Sequence, residues 1–250
     1  MKNNYRLGLV SVSFRTYSPT EIVEATMAAG LSCIEWGSDV HAPCKDKERL
    51  LMIKELQESA GLACSSYGTY FRLGETPIEE LCDYIDAAKP LGTDILRLWC
   101  GNKRGDECGE QEREALLADC KRAAKIAEDA GVTLCMECHK NSFTERVEDT
   151  LWLMQSVNSP AFRMYWQPFQ WRSVEDDINY ATKIDQYVKH IHVFNWEGDG
   201  KFPLCEAIDE WKSYLACFSA DHTLLLEFMP DNKIETLKTE ADALRAIVEE

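Results

Sequence analysis

Two hundred and fifty residues, 45% of them apolar and 28% charged, can bury one large core and are too apolar for a disordered chain. A formal charge of −16 repels phosphate backbones, which argues against nucleic acid as a partner. The longest apolar runs are strand-sized, short of the roughly 20 residues of a membrane span, and Met1-Lys2-Asn3-Asn4-Tyr5 runs into a strand-like stretch without a signal-peptide core, so a cytoplasmic location is expected.

The first strand is read at Leu7–Ser13, and Ser18-Pro19-Thr20-Glu21 behind it forms a capping box with Pro at the first helical position. Strand two follows at Ser32–Trp36 and strand three at Ala63–Tyr67. Thr76-Pro77-Ile78-Glu79 repeats the capping signal before an apolar stripe of Ile78, Leu81, Cys82 and Ile85. Strands four to eight are read at Ile95–Trp99, Thr133–Glu137, Phe162–Trp166, Val188–Phe194 and Leu224–Phe228. Helical spacing recurs in Leu116, Leu117, Cys120, Ala123 and Ala127, and in Leu237, Ala241, Leu244 and Val248. Four helical stretches end at Gly30, Gly61, Gly92 and Gly131 and pass directly into a strand, the place where a left-handed residue closes a helix.

Eight strand–helix units in 250 residues match a (β/α)8 TIM barrel. A doubly wound sheet would need a phosphate-type glycine loop, and neither GxGxxG nor GxxxxGK occurs. With no linker or low-complexity tract, residues 1–250 read as one α/β domain. Eleven irregularly spaced cysteines read as reduced, mostly buried thiols. Only Cys135-Met-Glu-Cys138 has CxxC spacing, and in a strand those two residues face opposite ways, a poor metal knuckle.

Chemistry in such a barrel sits at the C-terminal strand ends. Those ends carry Glu35-Trp36, Arg97 with Trp99, Glu137-Cys-His139, Gln167-Pro-Phe-Gln170, His190-Ile-His192 and Glu227. Glu137, Gln167, His192 and Glu227 each stand at or just past a strand end, with the alternation that faces the barrel axis. Two carboxylates, an imidazole and an amide oxygen can form a four-ligand site for a divalent ion, leaving positions for substrate. A Glu ending an apolar strand can equally cap a helix or pair with Arg97. Two inward carboxylates at one rim need a counter-cation, however, and that favours a metal.

Around this quartet, Glu35, Trp36, His41, Tyr67, Arg97, Trp99, His139, Gln170 and Trp196 are the candidates for substrate binding. Aromatic faces over a polar pocket suit the C–H faces of a sugar, and Tyr70 joins this group. By alternation Trp166 points outward into the core, and His190 lies one inward layer below His192. His222 begins strand eight, at the opposite end from the chemistry. The absence of a phosphate cradle favours an unphosphorylated substrate, although Arg97 and Lys201 leave room for a phosphate.

The order Ile34-Glu35-Trp36, Glu137, Gln167-Pro-Phe-Gln170, Val-Lys-His-Ile-His192-Val and Leu-Glu227-Phe resembles the xylose isomerase-like TIM-barrel superfamily. Within it the chain is most similar to the sugar phosphate isomerase/epimerase (AP endonuclease family 2-like) family. The resemblance implies one divalent ion, most often Mn²⁺ and otherwise Mg²⁺, Co²⁺ or Zn²⁺, on Glu, Asp, His and Glu. By position these are Glu137, Gln167, His192 and Glu227. Two features depart from the pattern: Gln167 replaces the usual Asp, and Gln170 the usual His. Phe143 and Gly198 stand near the places where ketose 3-epimerases carry Glu and Arg. Five histidines and a charge of −16 argue against the multi-zinc endonuclease branch.

The expected activity is a metal-dependent isomerase or epimerase. It would act on a keto-sugar or sugar derivative through α-proton abstraction and a metal-stabilised enediolate, with Glu137 and Glu227 moving the proton. The alternative is a lyase or dehydratase of the same family, eliminating a β-group from a keto-sugar or keto-glycoside. A third reading is a sugar-binding barrel without catalysis. The partner is a small carbohydrate, with neither nucleic acid nor membrane, and a homo-oligomer is compatible with the sequence.

Overall fold

The computed structural model describes residues 4–249, so Met1–Asn3 of the N-terminal run read above lie outside the described residues. Eight parallel strands close into a barrel in the order β1-β10-β7-β6-β5-β4-β3-β2. They are β1 (Arg6–Val10), β2 (Cys33–Gly37), β3 (Ala63–Leu73), β4 (Ile95–Cys100), β5 (Thr133–Glu137), β6 (Phe162–Trp166), β7 (Val188–Val193) and β10 (Thr223–Leu226). The short β8 (Trp196–Glu197) and β9 (Gly200–Lys201) pair antiparallel as a ribbon over the C-terminal mouth, an element the strand pattern did not announce.

Eight helices alternate with the barrel strands: α1 (Pro19–Ala28), α2 (Lys47–Ser59), α3 (Leu81–Leu91), α4 (Glu110–Ala130), α5 (Val147–Val157), α6 (Val174–Ile184), α7 (Ile208–Leu215) and α8 (Leu237–Val248). The TIM-barrel expectation is met. Among the described residues no helix is long and apolar enough to cross a membrane.

The punctuation behaves as its chemistry requires in most places. Ser18 Oγ accepts from the Glu21 amide while the Glu21 carboxylate accepts from the Ser18 amide. Gly30, Gly61, Gly92 and Gly131 all take left-handed φ of 69–83°. The second capping box does not form. Thr76 Oγ1 accepts from the Arg72 amide instead, and a 3-10 turn over Ile78–Glu80 precedes α3. Strand one is shorter than expected, giving way to a 3-10 turn at Ser11–Phe14, whereas strand three runs six residues further, to Leu73.

Strand alternation builds two cores. Outward side chains such as Leu9, Ile34, Leu98, Met136, Trp166, Ile191 and Leu224 pack against the helices. Inward ones, Val10, Val12, Cys33, Cys135, Tyr165 and Leu225, fill the barrel. Gly8 belongs to the inner layer, where a Cβ would lie 2.5 Å from Cys33 Sγ and 2.8 Å from Leu225 Cδ2. Cys135 falls in the inner core and Cys138 in the outer one, so the CxxC thiols do face apart, and all eleven cysteines are free.

Candidate active site

On four of the strands the inward position one step above this plug carries a member of the quartet. Cys135 is followed two residues later by Glu137, Tyr165 by Gln167, His190 by His192 and Leu225 by Glu227. The barrel thus presents the quartet at its mouth, above the inner core.

His192 is the centre of the arrangement. Its Nδ1 lies 3.1 Å from Gln167 Oε1, 3.4 Å from Glu227 Oε2 and 3.6 Å from Glu137 Oε1. Two ligands about 2.1 Å from one ion and 90–110° apart are themselves about 3.0–3.4 Å apart. The donor atoms of Glu137, His192 and Glu227 all lie within 4.8 Å of one another. These spacings fit a divalent ion.

The charges fit as well. Arg97 Nε donates to Glu35 Oε1 at 3.0 Å and Nη1 to Glu137 Oε2 at 2.7 Å. With a neutral imidazole, three carboxylates against one guanidinium leave two negative charges, which a divalent cation balances. In the metal-free protein His192 takes that role in part. Burial favours its neutral form, but the facing carboxylates of Glu227, Glu35 and Glu137 prevail and push its pKa up to about 10. Burial also opposes ionisation of Glu35, yet His192 and Arg97 bring it down to about 2. Glu137 is likewise held well below the usual carboxylate range, burial being outweighed by Arg97 and His192. Glu227 moves the other way, raised by burial and by the neighbouring Glu137.

The two glutamates therefore differ in what they have left to offer. Glu137 Oε2 accepts from Arg97 and, at 2.6 Å, from Trp99 Nε1, while its Oε1 faces the quartet. Glu227 Oε2 faces His192, and among the described residues no side chain donates to Glu227 Oε1. Trp99 is itself clamped, with the Arg72 guanidinium 4.7 Å and the Arg97 guanidinium 5.5 Å from its ring.

A cavity of about 280 Å³ opens above the quartet. Arg97, Trp99, Glu137, His139, Gln167, Gln170, Trp196 and Glu227 line it, as the strand ends suggested. His139 Nδ1 bonds the Lys140 carbonyl at 2.7 Å, which leaves Nε2 as the free nitrogen, and its ring lies 5.3 Å from that of Trp99. Trp196 packs edge-on to Phe228 with a buried indole N–H that has no partner among the described residues.

Four expected substrate contacts are placed elsewhere. Trp36 is fully buried behind the sheet, its Nε1 donating to Gln57 of α2 at 2.9 Å. Tyr67 is also in the outer core and donates to the Ala42 carbonyl at 2.6 Å. His41 is buried between Ser11 Oγ and the Tyr17 carbonyl, where it ties two loops together. Glu35 does face inward but lies beneath Arg97 and His192, out of reach of a substrate. The first three fail for one reason: outward alternation or loop return buries them against helices and loops.

His190 is a core residue, its ring nitrogens on the Lys189 and Ser65 carbonyls, and Trp166 packs among Trp211, Tyr214 and Phe218. The cavity also uses Arg15, Lys140, Phe169, Phe194 and Phe228, which the sequence reading did not select. Arg15 donates to Asp39 and to the Tyr70 hydroxyl, and no local pattern distinguishes it from a surface arginine. Phe228 had a usable signal, as the residue following the strand-eight Glu; its φ of +56° turns the chain over the mouth.

The family model described as xylose isomerase-like TIM barrel matches residues 23–210. A 3-dehydroshikimate dehydratase of Bacillus anthracis is 21% identical over 270 residues, covering 96% of each chain. The crystal structure of the probable 3-DHS dehydratase AsbF of Bacillus anthracis superposes with a TM-score of 0.83 at 20% identity, over 96% of this chain and 98% of that one. A D-psicose 3-epimerase of Clostridium cellulolyticum H10, solved with D-tagatose, gives a TM-score of 0.70 at 13% identity over 96% of both. The extent of the family match, from α1 into α7 and through every residue of the quartet but Glu227, decides the assignment: the chain belongs to the xylose isomerase-like TIM-barrel family.

Proposed function

We propose that the protein is a divalent-metal-dependent lyase that removes water from a small β-hydroxy ketone. The observation that carries this reading is the inequality of Glu137 and Glu227. Inverting a stereocentre takes a proton from one face and returns one to the other, which calls for two free carboxylates. Here both Glu137 oxygens are committed and only Glu227 has one to spare. Elimination needs a single base. The similarity to a 3-dehydroshikimate dehydratase across 96% of the chain supports the same choice over the epimerase reading.

The ion held by Glu137, Gln167, His192 and Glu227 supplies Lewis acidity to a substrate carbonyl when bound. Glu227 Oε1 removes the proton from the carbon beside that carbonyl, and the C–H electron pair moves toward the carbonyl. Return of that electron pair forms the C=C bond and expels the β-hydroxyl, which takes the proton back from Glu227 and leaves as water. Trp99 and Arg97 hold Glu137 still, so that the donor set keeps its shape as the charge moves. Trp99, His139 and Trp196 line the cavity that takes the carbon skeleton, and the free Nε2 of His139 is the nitrogen available to a substrate oxygen.

The test is direct. Mn²⁺-loaded protein incubated with 3-dehydroshikimate should generate the ultraviolet absorbance of a dihydroxybenzoate, with D-fructose and D-psicose run alongside. Interconversion of the two ketoses without elimination from any β-hydroxy ketone would replace this reading with the epimerase one.

A further inference from the structure

We propose that Glu35 is a positioning residue that balances the charge of the metal quartet from beneath, supplying the carboxylate that Gln167 does not. This rests on the reading of Glu137, Gln167, His192 and Glu227 as the ion-holding set.

Burying a carboxylate costs several kcal/mol unless the surroundings compensate it, and Glu35 has no exposed surface. The fold has made room for it. A register shift between Ile34 and Glu35 sets Ser66 opposite Glu35, and Ser66 Oγ donates to Glu35 Oε2 at 2.9 Å. The neighbouring strand carries Gly68, where a Cβ would stand 2.7 Å from Glu35 Oε1 and 3.0 Å from Arg97 Nη2. Any side chain there would push the pair apart.

Glu35 then reaches the quartet by two routes. Its Oε2 lies 3.5 Å from His192 Nε2, so it favours a proton on that nitrogen and a lone pair on Nδ1, the atom that faces Gln167, Glu137 and Glu227. Its Oε1 fixes Arg97, whose other arm holds Glu137. A carboxylate at 167 would add a fourth negative charge to a set that a divalent ion and Arg97 already neutralise. A neutral amide at that position and a buried Glu on β2 are thus two halves of one balance.

The two positions should therefore be coupled. Calorimetric titration with Mn²⁺ alone is expected to show E35Q binding about 10–100-fold more weakly than wild type. In the E35Q background, Q167D should recover most of that loss by restoring the charge. G68A keeps both charges but displaces them, and should weaken Mn²⁺ binding without being rescued by Q167D; it carries the test if E35Q does not fold. Two-bond ¹H–¹⁵N correlations of the Zn²⁺-loaded wild type should show His192 protonated at Nε2. Unchanged Mn²⁺ affinity in folded E35Q, or in G68A where E35Q does not fold, overturns the proposal, as does an E35Q loss that Q167D leaves untouched. Failure of the wild type to bind Mn²⁺ would instead remove the metal reading on which it rests.

Discussion

Arg97→Met tests whether the site's charges are held as described. The Arg97 side chain is 4% exposed and joins two carboxylates exposed by 0% and 4%, at 3.0 and 2.7 Å. At an effective dielectric constant near 20 each pair is worth about 4 kcal/mol of attraction. Desolvation of the guanidinium offsets part of that, and the substitution also removes this cost. The two glutamates remain buried beside Ser66, Trp99 and His192 with no guanidinium between them, and stranding buried charges in this way costs about 3–5 kcal/mol. Urea unfolding of the metal-free proteins at pH 8 should show that loss.

The pH dependence gives the sign. Glu35 and Glu137 have folded pKa values depressed below their ordinary 4.5, so their stabilising contribution is present above that value and lost as pH falls through the folded values. Without Arg97 the depression weakens. With the guanidinium gone, burial raises both carboxyls above 4.5, so the variant takes up protons between pH 8 and pH 4.5 and its deficit against wild type should shrink over that range. A deficit below about 1 kcal/mol at pH 8, or one that does not change with pH, would refute the role assigned to Arg97.

Glu227→Gln should retain Mn²⁺ within about tenfold while turnover falls about 10²–10⁴-fold, the usual worth of a general base, measured in single-turnover assays with a β-hydroxy ketone that the wild type dehydrates. Gln167→Asp in the wild-type background should tighten Mn²⁺ binding by calorimetry and lower the melting temperature of the metal-free protein, since the added charge helps only when the ion is present. The pKa of His192 is raised to about 10 from an ordinary 6.5, so its contribution to metal-free stability is full below about pH 6.5 and disappears as pH rises toward 10. Metal-free protein should therefore lose stability over that range in thermal scans. Mn²⁺ affinity should rise with pH over the same range, because the ion displaces the His192 proton.

Much of this was legible in one dimension. A strand read with period two and ended by a polar residue fixes which way that residue points, provided the barrel closes. Leu134-Cys-Met-Glu137 and Leu224-Leu-Leu-Glu227 each place a carboxylate inward by alternation alone, and Trp166 outward by the same count. Left-handed glycines set the helix ends, because local sterics decide them without help from the rest of the chain. What the chain could not state locally was the partner of each polar group. Trp36 and Glu35 are neighbours in sequence, yet one packs on α2 through Gln57 and the other meets Arg97 and His192, which lie 62 and 157 residues away. Only closure of the barrel brings those residues together. That closure also separates Glu137, whose Oε2 accepts from both Arg97 and Trp99, from Glu227, whose Oε1 accepts from no side chain among the described residues. The two glutamates look equivalent in sequence because a residue type specifies a charge and a direction. Their difference in chemistry comes from hydrogen bonds that depend on strands far apart in the chain.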